Sequence, residues 1–166
     1  MKHYKDTKNN TYSYEDNVPQ DFLDAKIKEL GLISITDEDL AILRLPTLEV
    51  AKQNKTNEIN TVCGNEITRG FVSDALGSTH NYRSKEIDQL NLIGMVTAQQ
   101  DDYFKCGVTD KNGVIAWNYV FHTVAQFTQV LQDGKAYKQT LLQKAGTLKA
   151  KVNLAKTQAD LDLIVW

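Results

Sequence analysis

The chain has 166 residues, a formal net charge of −2, and 42% hydrophobic against 24% charged residues. That length supports one compact domain, or a small one beside a larger one, with a core that needs no disulfide or metal staple. A charge this close to zero gives no sign of a nucleic-acid or anionic-membrane partner, and no run approaches the ~20 apolar residues of a bilayer span.

Cys63 and Cys106 have no C-x-x-C spacing, and His3, His80 and His122 are scattered. No metal set, disulfide framework or cofactor motif follows from them. The opening residues Met1-Lys2-His3-Tyr4-Lys5-Asp6 are polar, with no apolar stretch behind them. This points to a protein made and working in the cytoplasm, or on a particle assembled there.

In chain order, Tyr4 and its neighbours lead through Thr7-Lys8-Asn9-Asn10 to Thr11-Tyr12-Ser13-Tyr14, a strand, turn and strand pattern. Val18-Pro19 breaks it. Asp21 is placed to cap a helix carrying Phe22, Ala25, Ile27 and Leu30, which stops at Gly31. Leu32 to Ile35 reads as a short strand, and Thr36 with Asp39 forms a capping-box pattern for a short helix toward Leu43. Residues 1–45 thus read as a small α/β unit.

Pro46 suits the first residue of a longer helix. Residues 46–69 hold no strand-like alternation, and Leu48, Ala51, Ile59, Val62 and Cys63 make a thin apolar face. The segment reads as a linking helix, either half exposed and offered to a partner or lying on its own domain.

Residues 70–166 form the remaining domain. Phe71 to Gly77 and His80 to Arg83 are short extended pieces around a Gly-Ser-Thr bend. Ser84 is an N-cap candidate for a helix with Ile87, Leu90, Ile93 and Val96 as its apolar face. A hairpin follows. Tyr103 to Thr109 and Val114 to Phe121 flank Asp110-Lys111-Asn112-Gly113, where Asn-Gly suits the positive φ angles of a tight turn. Ile115, Trp117, Tyr119 and Phe121 then share one face by the period of two.

From Thr123 onward Phe127, Val130, Gly134, Tyr137, Leu141, Ala145, Leu148, Val152 and Ala155 recur at helical spacing, with a break or bend expected at Asp133-Gly134. Lys135, Lys138, Lys144, Lys149, Lys151 and Lys156 decorate that helix as a solvated face. Thr157 with Asp160 repeats the capping pattern before a terminal turn from Leu161 to Trp166. The whole reads as an α+β fold, with a small N-terminal α/β unit, a linking helix and a C-terminal domain of two β-hairpins packed with helices.

No catalytic constellation stands out. Ser73-Asp74 with His80 or His122 makes a triad only on paper, and there is no G-x-S-x-G, P-loop or G-x-G-x-x-G. Asp37-Glu38-Asp39 and Asp101-Asp102 sit where helix starts and loops explain them.

A series of motifs from Ile67 to Trp166 resembles a domain of unknown function found at the C-terminus of small phage and prophage tail proteins. In order these are Gly70-Phe71-Val72-Ser73-Asp74-Ala75-Leu76-Gly77, His80-Asn81-Tyr82, Asp88-Gln89-Leu90-Asn91-Leu92, His122-Thr123-Val124-Ala125-Gln126, Leu148-Lys149-Ala150-Lys151-Val152 and Ile164-Val165-Trp166. The first 45 residues resemble, more loosely, the N-terminal part of tail-fibre assembly proteins.

The resemblance implies a non-enzymatic role in the fibre module, with a tail-fibre or baseplate protein as partner. The chain would act as an assembly chaperone or cap, or else as a permanent adaptor or receptor-binding piece of the tail. It would work in the host cytoplasm during assembly and sit in the virion tail if retained, and a homotrimer would match the fibre. Tyr103, Trp117 and Tyr119 on the Asn-Gly hairpin are candidate partner anchors, since aromatic residues dominate binding hot spots. The other reading is that they pack the hairpin on the C-terminal helices.

Asp74, Gly77, His80, Tyr82, Asp88, Gln89, Asn91, His122 and Trp166 are expected to maintain the fold. Asp74, His80, Tyr82, Asp88, Gln89 and Asn91 are polar enough for a buried hydrogen-bond network holding the first hairpin on its helix.

Overall fold

The structure, a computed structural model, describes residues 1–166. The chain divides into two compact units, Met1–Thr47 and Leu48–Trp166. The fold is mixed α+β, with two antiparallel sheets and six helices.

In the first unit β1 (Lys2–Lys5) pairs antiparallel with β2 (Thr11–Tyr14) on one side and β3 (Ile33–Ile35) on the other. Helix α1 (Gln20–Leu30) covers this sheet and ends at Gly31, whose left-handed backbone stops it. The core is Tyr4, Leu23 and Leu32, with Tyr12, Tyr14, Ile27 and Leu30 around them.

Two sequence expectations for α1 shift here. Asp21 lies in the first turn, where its charge favours the helix start, and the capping position is Pro19 with no side-chain cap. Phe22 is exposed, and Leu23 is the buried residue of that pair. Leu23, Ile27 and Leu30 follow the 4-3 spacing of one helical stripe, whereas Phe22 lies ~100° away from Leu23 around the helix. Helix α2 (Asp37–Arg44) starts on the expected box: Asp39 N–H donates to Thr36 Oγ1 at 3.0 Å and Thr36 N–H to Asp39 Oδ2 at 3.0 Å.

The second unit begins with α3 (Leu48–Arg69), which starts two residues after Pro46. The proline precedes the helix and does not open it. Ala51, Ile59 and Cys63 of α3 are buried against Leu141, Ala145, Leu148 and Val152 of α5 (Val124–Leu154), so its thin apolar face is a core face of its own unit. Helix α6 (Gln158–Asp162), capped by Thr157 as its pattern indicates, brings Leu161 and Ile164 into the same cluster, with Trp166 packed at its margin.

A second cluster lies under a sheet of order β4-β5-β6-β7, formed by Phe71–Ser73, His80–Tyr82, Asp102–Thr109 and Ile115–His122. Phe71, Tyr82 and Cys106 from its inner face meet Phe127 and Val130 of α5 and Leu92 of α4 (Glu86–Ala98). The hairpin turn differs in kind from the expectation. Only Gly113 has positive φ, at 81°, and Asp110 N–H donates to Val114 O at 2.8 Å while Gly113 N–H donates to Asp110 O at 3.0 Å. This is a three-residue loop with its glycine in the left-handed position, not a two-residue Asn-Gly turn. Asp110 Oδ1 favours it by accepting from Asn112 and Val114 N–H.

Helix α4 departs furthest from its sequence pattern. Its N-cap is Lys85, whose N–H donates to Asp88 Oδ2 at 3.1 Å, while Ser84 is buried one residue earlier. Ile87, Leu90 and Ile93, expected to face the core, are exposed; Leu92 is buried, with Met95 and Val96 packed beside it. α4 is apolar around most of its girth, so periodicity does not select the buried side.

α5 runs unbroken through Gly134. A Cβ there would stand 2.7 Å from Phe71 Cζ, so the glycine marks close passage of the helix over a buried ring and no break in it. A Cβ at Gly146, in the same helix, would meet nothing within 4 Å. Both glycines cost helix propensity of ~1 kcal/mol relative to alanine. Gly146→Ala is therefore expected to stabilise the protein by roughly that amount. Gly134→Ala should destabilise it, because overpacking of about 1–3 kcal/mol exceeds the propensity gain. Urea denaturation of the two variants checks the opposite signs.

Candidate partner-binding face

The four-stranded sheet is covered on one side only. Along β6 and β7, Phe104, Cys106, Val120 and His122 turn inward to the cluster under α5, so their neighbours in sequence turn outward. The register sets Tyr103 beside Phe121, Lys105 beside Tyr119, and Gly107 beside Trp117 on the outer face. Tyr119 is 69% exposed, Tyr103 60% and Phe121 49%, while Trp117 is half-buried. Tyr103 and Tyr119 thus stand open on one surface with the half-buried Trp117, which also lines a cleft of about 420 Å³ with Arg69 of α3 and Tyr137 of α5.

That surface has its own order. The Tyr103 and Phe121 rings meet edge to face with centroids 5.6 Å apart. Arg83 Cζ lies 4.7 Å from the Trp117 ring centroid, and Lys105 Nζ lies 5.9 Å from that of Tyr119. Cations over aromatic faces are attracted by the ring quadrupole, by about 0.5–1 kcal/mol at exposed sites. Gly107 leaves room for the indole: a Cβ there would stand 3.1 Å from Trp117 Cδ2 and would clash with Ile115 Cγ2. Asn81 fixes the neighbouring strand, donating from Nδ2 to Gly107 O at 3.1 Å and to Thr109 Oγ1 at 2.8 Å.

At one margin the face runs into a cleft of about 580 Å³ beside α4, lined among others by Asp88, Leu90, Asn91, Lys105 and Tyr119. The exposed Leu90 therefore adjoins the aromatic surface. Neither Gly107, Arg83 nor Phe121 stands out in the sequence as part of a site. The period-two register around Trp117 is the signal that finds Phe121; nothing local points to Arg83.

The residues expected to maintain the fold do not form one buried network. Asp74 and Gly77 close a turn through Gly77 N–H to Asp74 O at 2.8 Å, and His80 Nδ1 lies 2.8 Å from Ser78 O. Asp88 caps α4, and Gln89 Nε2 donates to Ser84 O at 2.8 Å. Asn91 is exposed. Trp166 is partly buried, with Lys144 Nζ 4.7 Å from its ring centroid. These polar groups are local, each serving its own turn or cap.

Tyr82 and His122 are the exception, and they lie at the centre of the sheet's core. His122 Nδ1 is 2.8 Å from Val120 O, which can only accept, so Nδ1 carries the proton. Nε2 is then the acceptor, and Tyr82 Oη donates to it at 2.9 Å. The imidazole stacks on Phe127 at 5.1 Å between centroids. Burial lowers the His122 pKa and raises that of Tyr82, the neighbouring Cys106 adding to the latter, so both stay neutral. Ser73 Oγ donates to Asp133 Oδ2 at 2.5 Å, and neither His80 nor His122 is its hydrogen-bond partner. The Ser73, Asp74 and histidine combination is thus not assembled as a triad.

Fold and surface together define an α+β domain with a one-sided sheet that presents an ordered aromatic face. The chain belongs to the family described as domain of unknown function DUF4376, which matches residues 50–165. No curated protein and no solved structure matches the chain. No helix is long and apolar enough to cross a membrane.

His122 gives this core a pH dependence. Its unfolded pKa is ~6.5, and its folded value is lower. The unfolded state therefore binds the proton first, and stability present above ~6.5 is lost as the pH falls from there toward the folded pKa. Urea denaturation between neutral and mildly acidic pH should show that loss. His122→Gln, which cannot titrate, should flatten this window and leave the carboxylate-driven loss at lower pH in place.

Proposed function

We propose that the chain is a tail-fibre-associated protein of a tailed bacteriophage or prophage, which binds the fibre as an assembly chaperone or cap. In this reading it works by binding and not by catalysis, in the host cytoplasm during assembly. The observation that carries it is the open outer face of the sheet, where Tyr103, Trp117, Tyr119 and Phe121 stand together without a cover.

The phage setting rests on the resemblance of the ordered motifs between Ile67 and Trp166, nearly all of which falls inside the family match. A fibre under assembly exposes strand edges and apolar surface that aggregate unless shielded. An aromatic platform suits such shielding, because rigid rings bury large area at little entropic cost and hot spots concentrate on Trp, Tyr and Arg. The face carries Arg83 and Lys105, while none of its outward strand residues is acidic. An acidic or polar rim on the partner would complement it.

Binding of the full chain to unassembled fibre protein tests the reading. Trp117→Ala and Tyr119→Ala are each expected to weaken it about tenfold or more, with thermal unfolding nearly unchanged for Tyr119→Ala, whose side chain is largely exposed, and lowered less than binding for the half-buried Trp117. Equal loss of binding and stability would make these residues core. No binding by the wild-type chain would overturn the proposal. Copy number in purified virions, measured against the fibre, then separates the two roles. Absence or substoichiometric amounts mean a chaperone; a fixed integer ratio means a retained cap or permanent tail component.

A further inference from the structure

We infer that the free edge of β7 pairs with the same edge of a second copy of this chain, joining two sheets into one about a two-fold axis through Asn118. This concerns the backbone edge of the strand whose outward side chains belong to the face proposed above to bind the fibre. β7 is the last strand of its sheet, and its eight residues Ile115–His122 contain no Pro, Lys, Arg, Asp or Glu. Those are the devices by which proteins blunt exposed edges. An edge left this long and uncharged is a template for strand addition.

The geometry says which groups are free. Asp110 N–H donates to Val114 O, so that pair points its backbone groups inward between the two strands. In an antiparallel ladder the next pair points outward and the pattern alternates. With Thr109 opposite Ile115 and Gly107 opposite Trp117, the outward groups on β7 are those of Ile115, Trp117, Tyr119 and Phe121. The acceptance by Gly107 O of a bond from Asn81, on the side away from β7, agrees with this phase.

An antiparallel copy centred on Asn118 meets this edge in register. Trp117 falls opposite Tyr119 of the second copy and Ile115 opposite its Phe121, so every outward N–H and C=O finds its counterpart. The side chains paired across the seam are aromatic or β-branched on the outer face, and Ala116 meets Val120 on the inner one. A shift by one residue would set outward groups against inward ones; a shift by two keeps the phase but leaves one of the four outward residues unpaired, so the centre at Asn118 uses the edge most fully.

Charge fits the same arrangement. No like charges meet along the strand. The hairpin tip, which carries Lys111 beside Asp110, comes toward the end of the other copy's sheet, where Asp101 and Asp102 stand. Self-pairing of this kind is isologous and closes at two copies.

Sedimentation velocity of the full chain across the micromolar range is the test. Asn118 is exposed, and its side chain lies on the side away from Trp117 and Tyr119, so changing it leaves the aromatic face intact. The wild type should form a reversible dimer. Asn118→Lys and Asn118→Glu should each weaken it about tenfold or more by placing like charges at the axis, and an equimolar mixture should recover a heterodimer. Unchanged thermal melting confirms that both variants fold. A monomeric wild type, a trimer, or a dimer insensitive to both variants would overturn the inference. Fibre binding by the Asn118 variants is read separately, so failure of self-pairing and failure of the fibre-binding role are distinguished.

Discussion

The packing of one long helix, α5, against two different partners is the contact on which the larger unit depends. Its N-terminal half lays Phe127 and Val130 under the sheet, and its C-terminal half lays Leu141, Ala145, Leu148 and Val152 against α3 and α6. Tyr137 packs at the margin of both clusters. Because the same rigid rod serves both, the helices and the sheet are held in one frame although their cores share no buried residue. Gly134 sets the closeness of that approach at Phe71. With α5 and α4 giving their buried residues to the inner face, the helices reach the outer one only at its margins, beside Trp117 and beside Tyr119.

The centre of the sheet's core is polar at one point, and that point is well matched. Tyr82 and His122 satisfy each other and a backbone carbonyl, surrounded by Phe71, Phe104 and Phe127. A buried imidazole and phenol left unpaired would each cost a desolvation penalty of about 1–3 kcal/mol. Pairing removes that penalty and fixes the tautomer, the ring orientation and the strand register together. This specifies the end of β7 at His122, directly before Thr123 caps α5.

Much of this was legible in the sequence where one rule acted alone. The α5 stripe, the capping boxes at Thr36 and Thr157 and both hairpins of the larger unit follow from periodicity and local hydrogen-bond chemistry. The outward set on β7 followed from the period of two. What failed did so where two patterns competed. In α4, Ile87, Leu90 and Ile93 form as good a stripe as Leu92, Met95 and Val96, and only tertiary contact decides between them. At Gly134 a glycine in a helix signals a break or a close approach equally well, and Phe71, 63 residues earlier, decides it. Arg83 over Trp117 depends on the pairing of β5 with β6, which joins segments distant in sequence through a single bridge at Asn81 and Gly107.

β7 shows how one strand serves both the interior and the outside. In a pleated antiparallel strand, the direction of the backbone groups and the side of the side chain alternate with the same period. Residues Ala116, Asn118, Val120 and His122 turn their backbone toward β6, and the last two also give their side chains to the core. Ile115, Trp117, Tyr119 and Phe121 turn both backbone and side chain away from it. The residues that build the protein are therefore not the residues that face out. Large apolar side chains and unpaired backbone are tolerated at the second set because the first set already secures the fold. Arg83 and Lys105 over the rings shield part of that surface from water without closing it, and a partner that displaces or stacks against them meets an ordered platform. Exposure on this scale is costly for a solitary domain and useful to one that binds.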